Sequence, residues 1–220
     1  MSLSELWTQY GGMFLESLLT TWKLTAISFV LGMVIAILIT ICRVSPIKPL
    51  RVFGDFYVQV FRNVAGVSVL FILYYALPYL GILLSEQTCV IITVMLVGSA
   101  FGSENFMTGI NTIGVGQIEA ARSLGLTFTQ MIRLVIIPQA LRSAVLPMTN
   151  LLIAVMLTTA LGSQVPMSPD ELTGLVSYIN TRATVGGITT FFVASLGYVG
   201  TALVIGFFGN RLDKKVRILR

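Results

Sequence analysis

An all-helical integral membrane protein is what this sequence predicts, and three observations carry the prediction. Hydrophobic residues fill 55% of the 220 positions and charged residues only 10%, where a soluble domain carries about 25% charged residues. Apolar runs recur along the chain, several of them close to the roughly 20 residues that a spanning helix needs. Basic residues cluster after alternate runs, the bias that orients helices across a bilayer.

Five spans are expected. The first, Leu24 to Cys42, holds no charge. The second, Val67 to Leu84, contains Pro78 and is expected to be kinked or short. Thr88 to Phe106 stays apolar until Ser103 and Glu104, and Ala144 to Leu161 and Ile188 to Phe208 complete the set. Residues 1–12 hold Glu5, have no basic cluster and precede no small-residue cleavage pattern. The first run is therefore expected to be retained rather than removed as a signal peptide.

Charge orders these spans. Arg43, Lys48, Arg51 and Arg62 follow the first, Arg122, Arg133 and Arg142 the third, and Arg211, Lys214, Lys215, Arg217 and Arg220 the fifth. Basic loops stay cytoplasmic, so the N-terminus is expected outside and the C-terminus inside. Glu5, Glu86, Asp170 and Glu171 fall on the opposite side, with Arg182 the main basic exception. The formal charge of +5 then reflects topology and implies no nucleic-acid partner; the basic tail reads as an anchor at anionic headgroups. Lys23 could snorkel at the outer edge of the first span.

The chain contains no His, which excludes imidazole catalysis and imidazole metal ligation. Cys42 and Cys89 sit near opposite faces on this topology. A disulfide needs Cα atoms about 4.4–6.8 Å apart, so both are expected free. With no compelling repeat and no Pro/Gly/Ser-rich linker, residues 1–220 read as one domain.

One segment breaks the apolar pattern. Gln117 to Leu124 (QIEAARSL) favours helix, with Glu119 toward its start and Arg122 toward its end, as the helix dipole prefers. Gly125 can close that helix in a left-handed conformation. Thr127 and Gln130 have capping-box spacing for a second helix, and Pro138 marks a bend before the fourth span. From the residues alone, this is either a well-capped surface loop or a helix shaped to enter a groove on a soluble partner.

EAARSLGLTFTQMIRLVIIP (residues 119–138) resembles the EAA motif of ABC importer permeases: Glu119, Ala120, Ala121, Gly125, then Val135, Ile137 and Pro138. The flanking GINTIGVGQIEAARSLGL and PQALRSAVLPMTN, with RVSP at residues 43–46 and FRN at 61–63, narrow the resemblance to the polar amino-acid branch. It covers nearly the whole chain. It implies the five-span core of a type I importer permease, multi-pass in a bacterial inner membrane. It also implies a coupling-helix loop at about residues 114–138, in which Glu119, Ala120, Ala121, Gly125 and Pro138 serve docking to an ATPase dimer. This chain lacks a G-x-x-x-x-G-K-[ST] phosphate loop. ATP and Mg are therefore expected on the partner ATPase, with no cofactor or metal held here and no catalytic residue.

The resemblance places substrate near the midplane between paired permeases. The candidate pathway residues are Thr158, Thr159, Glu104, Asn105 and Asn150, with Arg62 and Asn63 as a candidate gate. Where the family's fourth span commonly continues LIALLKDTSLAS, residues 153–163 read IAVMLTTALGS. Leu157, Thr158 and Ala160 thus replace a Lys, an acid or Asn, and a Ser. Ala65 likewise stands where FRN-x-P would put proline. The charged part of the cluster is missing, although a zwitterion in a low-dielectric pore needs partners for both charges. Pairing with a paralogous permease that keeps the fuller cluster is therefore expected. Thr158 and Thr159 either face the pathway or bond to carbonyls one turn back. Glu104 is either an intramembrane functional acid or paired at the cytoplasmic end, and Arg62 and Asn63 either gate or anchor. The outer segment from Gln164 to Gly187 is read as a loop, either a solvated connector or a contact for an extracytoplasmic amino-acid-binding protein. Glutamate or glutamine is the expected cargo from resemblance; a non-transporting scaffold that holds a cytoplasmic protein is the alternative.

Overall fold

The computed structural model describes residues 3–182 and 187–216, with the side chains of residues 3–5 and 182 excluded. Arg217 and Arg220 of the expected basic tail lie outside the described residues, as do the side chains of Glu5 and Arg182. Every regular element among the described residues is helical.

The first helix, α1 (Leu3–Val44), runs for 42 residues, about 63 Å at 1.5 Å per residue. That is twice the roughly 30 Å of hydrocarbon in a bilayer, so the expected span is only its second half. Its first half continues without a break because no proline interrupts residues 3–44. The helix stops before Pro46, which drives the preceding residue toward extended backbone.

A second helix, α2 (Lys48–Asn63), was not foreseen. Pro49 in its first turn is well placed to start it, and its apolar and polar residues segregate to different faces. The chain then bends by 97° into α3 (Gly66–Phe71), which continues through a π turn (Ile72–Ala76) and a 3₁₀ turn (Leu77–Leu80) containing Pro78. The second expected span is therefore short and interrupted around Pro78, as its proline implies. Among the described residues, four helices are long and apolar enough to cross a membrane, and a fifth crossing requires α2 and the helix from Gly66 to Leu80 to act as one broken span.

The centre of the molecule is α4 (Glu86–Asn111), opened by Ser85, whose hydroxyl accepts the Thr88 N–H at 3.3 Å. Its glycines let neighbouring helices approach. A methyl on Gly102 would stand 2.9 Å from the Ala36 Cβ, one on Gly109 2.8 Å from the Ala140 carbonyl oxygen. Small residues at helix contacts are how membrane helices gain packing without a hydrophobic drive between them. Buried hydroxyls stay satisfied by local carbonyls: Thr40 donates to Ala36 and Thr93 to Cys89.

The remaining helices are α5 (Val115–Ser123), α6 (Phe128–Met131), α7 (Ile137–Ser143), α8 (Val145–Thr158), α9 (Leu172–Arg182) and α10 (Gly187–Val216). Leu24, Leu70, Val90, Val94, Leu151 and Val155 form the core among the spans. A second core joins Leu6 and Phe14 of α1 to Leu172, Leu175, Val176 and Ile179 of α9. The segment from Gln164 to Gly187, expected as a loop, contains a helix over Leu172–Arg182 whose apolar face is buried on α1 and α10. Outward, α10 exposes Phe192, Leu196, Val199, Leu203 and Phe207, an apolar face suited to a hydrocarbon or protein neighbour within a membrane. Cys42 and Cys89 are both free.

Candidate functional site

The polar interruption folds into a doubly capped unit. In α5, Leu124 N–H reaches the Ala120 carbonyl, Gly125 N–H that of Arg122 at 2.9 Å, and Leu126 N–H that of Ala121 at 3.2 Å. The last two are the paired bonds of a Schellman closure, which needs a left-handed residue after the cap. Gly125 supplies it with φ of 72° and has open space where a Cβ would be. Conformation, not crowding, demands glycine there.

Thr127 then caps α6 reciprocally: it accepts Gln130 N–H, and the Gln130 side-chain oxygen accepts the Thr127 N–H at 2.9 Å. The expected bend at Pro138 takes a different form. A π turn (Ile132–Ile136) leads into α7 with Pro138 in its first turn, so the missing N–H is absorbed by the widened turn and the chain stays helical from Phe128 to Ser143. The turn before the fourth span falls instead at Ala144.

This unit has an anchored side and a presented side. Ala121, Met131 and Ala140 are buried, and α7 is held against α4 where Ser143 donates to the Gly109 carbonyl at 3.4 Å. Glu119, Ala120, Arg122, Gly125 and Pro138 are exposed, and Leu124 projects with 80% of its surface free.

The expected pathway residues do not converge. Glu104 sits in an ion-pair cluster, accepting from Arg43 at 3.0 Å and lying 3.6 Å from Arg62. Arg43 also holds Asp55 at 2.9 Å, and Arg62 lies over the Phe101 ring at 5.6 Å from its centre. Of the two alternatives for Glu104, pairing is the one observed. Asn105 turns elsewhere and donates to the Pro147 carbonyl at 3.2 Å. Thr158 lies eleven residues further along α8, about 16 Å along the axis. Both Thr158 and Thr159 donate to carbonyls of their own helix, Ala154 at 2.7 Å and Met156 at 2.6 Å. Asn150 is exposed, and Asn63 bonds back to Gln59 of its own helix.

Sequence reading missed two hubs. Arg43 looked like a topology charge, and Asp55 lies on the unforeseen α2, so nothing local announced their pairing. Glu171 looked like a solvated loop acid but is fully buried at the start of α9. Its carboxylate accepts Thr173 N–H and Gly174 N–H, both at 2.7 Å, and the Tyr198 hydroxyl at 2.8 Å. Burial pushes this carboxyl above the ordinary range, while those hydrogen bonds pull it back.

The fold and this helix define a class: a multi-pass helical membrane protein with an exposed, capped helix between two spans. Residues 28–218 match the family described as binding-protein-dependent transport system inner membrane component. The chain belongs to that family and is an ABC transporter permease subunit, a non-catalytic component whose ATP hydrolysis resides in a separate ATPase. It is similar to the glutamate transport system permease protein GluC of Corynebacterium efficiens, 31% identical over 98% of this chain and 99% of that one. It is also similar to the arginine transport system permease protein ArtQ of Bacillus subtilis, 29% identical over 92% of each. Its fold matches a crystal structure of an amino acid ABC transporter with a TM-score of 0.90 at 24% identity, covering 98% of this chain and 99% of that one. It also matches an inward-facing methionine ABC transporter with a TM-score of 0.79 at 22% identity, covering 99% and 100%.

Proposed function

We propose that this chain is the membrane permease of an importer for polar amino acids, glutamate or glutamine first among them, in a bacterial inner membrane. Its N-terminus faces outward and its C-terminus the cytoplasm. An extracytoplasmic amino-acid-binding protein delivers substrate. A dimer of ATPase subunits, which binds ATP and Mg, closes against α5 and drives the permease pair between inward- and outward-facing forms. The observation that carries this reading is the exposed α5 helix, locked at its end by the Gly125 closure and anchored through Ala121. A helix fixed at one side and presented at the other transmits force, where a flexible loop would absorb it. The relatives' names support amino acids as cargo.

The second permease is a paralogue in this reading. Thr158 and Thr159 spend their hydroxyl protons on their own helix, and Glu104 is held by arginines. This chain therefore offers little free charge to a zwitterion. The test is reconstitution: co-expression with the ATPase, the binding protein and a paralogous permease should restore glutamate-stimulated ATP hydrolysis. Equal activity with this permease alone would refute the pairing, and no stimulation by any polar amino acid would refute the cargo.

A further inference from the structure

Beside the α6–α7 stem lies an apolar groove with a cavity of about 180 Å³, lined by Ile37 and Ile41 of α1, Phe106 of α4, and Ile132, Ile136 and Leu141 of the stem. The lining hydroxyl, Thr40, is already committed to the Ala36 carbonyl at 2.7 Å and Ser103 Oγ at 3.1 Å. The walls therefore offer an occupant only hydrocarbon. An engineered cavity of about 150 Å³ takes up benzene, so this one has room for a segment of an alkyl chain. It is open to the surface, because Ile37, Ile41, Phe128 and Leu141 in its wall are exposed.

The chain segments that border the groove supply the second half of the argument. The groove lies at the last turns of α1, whose continuation carries Lys48 and Arg51, while the stem carries Arg133 and Arg142; all four are exposed. Residues 44–52 and 128–143 contain no acid at all. Arg43, the remaining cation nearby, is neutralised by Asp55 and Glu104. A hydrocarbon slot whose bordering segments carry four exposed cations matches one class of molecule, a lipid with an alkyl chain and an anionic headgroup.

We infer that this groove holds an acyl chain of an anionic phospholipid from the leaflet on the α5 side, with its phosphate among Arg133, Arg142, Lys48 and Arg51. The lipid wedges between α1 and the stem that bears the coupling helix. The inference rests on the membrane reading and on α5 lying at the bilayer surface, but not on the cargo.

The experiment uses the purified whole transporter, delipidated in detergent and offered dioleoylphosphatidylglycerol or dioleoylphosphatidylcholine, with retained lipid counted by native mass spectrometry. Phosphatidylglycerol should be retained preferentially. The exposed double variant Arg133→Gln/Arg142→Gln should weaken that retention by about fivefold per arginine without lowering the melting temperature. Ile136→Trp should displace the lipid by filling the slot. Equal retention of both lipids, or unchanged phosphatidylglycerol retention in both variants, would overturn the inference. So would cross-linking of Ile136→Cys to another subunit, which would show a protein covering the groove. ATPase binding is measured on the same samples: lipid lost with docking intact in wild type counts against this inference alone, and docking lost with lipid retained counts against the coupling reading alone.

Discussion

Replacing Glu171 tests whether α9 is part of the structural frame. Its carboxylate is the acceptor for two backbone N–H groups and the Tyr198 hydroxyl, at zero solvent exposure. In Glu171→Ala all three donors lose that acceptor, at about 1–3 kcal/mol for each donor left unpaired. Relief from burying a charge offsets part of that, leaving a net cost of about 3–5 kcal/mol. At about 2–4 °C per kcal/mol, the purified complex should melt on the order of 10 °C lower. Trp22 reports the event well, since its indole N–H donates to Thr201 of α10 at 3.0 Å. The pH dependence separates the charge from the shape. The folded carboxyl titrates above its unfolded value, so the folded state holds the proton longer. The stability linked to that proton is full below the ordinary carboxylate range and is lost as pH rises through the folded value. Wild type should therefore gain stability as pH falls from 7 toward that range, and Glu171→Gln should not show this gain. Unchanged melting in Glu171→Ala, or the same pH slope in Glu171→Gln, would refute the buried-hub argument.

Three further outcomes follow from the packing. Gly209→Val should destabilise by about 1–3 kcal/mol, read as lowered melting and poor membrane yield, because a Cβ at Gly209 would overlap the Thr149 side chain of α8. Arg43→Met should cost about 1–2 kcal/mol, discounted because Asp55 and Glu104 are part-exposed while Arg43 is 13% exposed; looser packing of α2 should show as faster hydrogen exchange in residues 48–63. Gly125→Ala should cost roughly 1–2 kcal/mol of local stability through its left-handed backbone, and Gly125→Asn should recover part of it. Solute-stimulated ATPase activity is expected to be lower in Gly125→Ala than in Gly125→Asn.

Much of the coupling segment was legible because its signals are local. Thr127 and Gln130 make their bonds within one turn, and Gly125 marks its own left-handed backbone. Hydropathy likewise located the apolar runs. Several misses came from non-local physics. Residues 48–63 are a miss of another kind, because Pro49 and the amphipathic spacing after it are local helix signals that the basic residues Lys48, Arg51 and Arg62 overshadow. The first span's upstream half reads as ordinary polar-flanked sequence because its burial comes from α9, more than a hundred residues away. Local rules predict a bend at Pro138, but a π turn just upstream absorbs it. Thr158 and Thr159 illustrate the limit for the pathway: residue type could not tell a pore hydroxyl from one bonded to its own helix, and the distances show the latter bond.

The central claim is that α5 carries motion between a separate ATPase and the spanning helices. Disulfide trapping measures it most directly. Cys42 and Cys89 are replaced by serine, a single cysteine is placed at Glu119, and cysteines are scanned along the ATPase groove in the assembled transporter. The account predicts a specific cross-link at position 119 that stops amino-acid uptake and is reversed by reductant. Uptake that continues with the cross-link closed, or an assembled transporter in which position 119 never meets the ATPase, would contradict it.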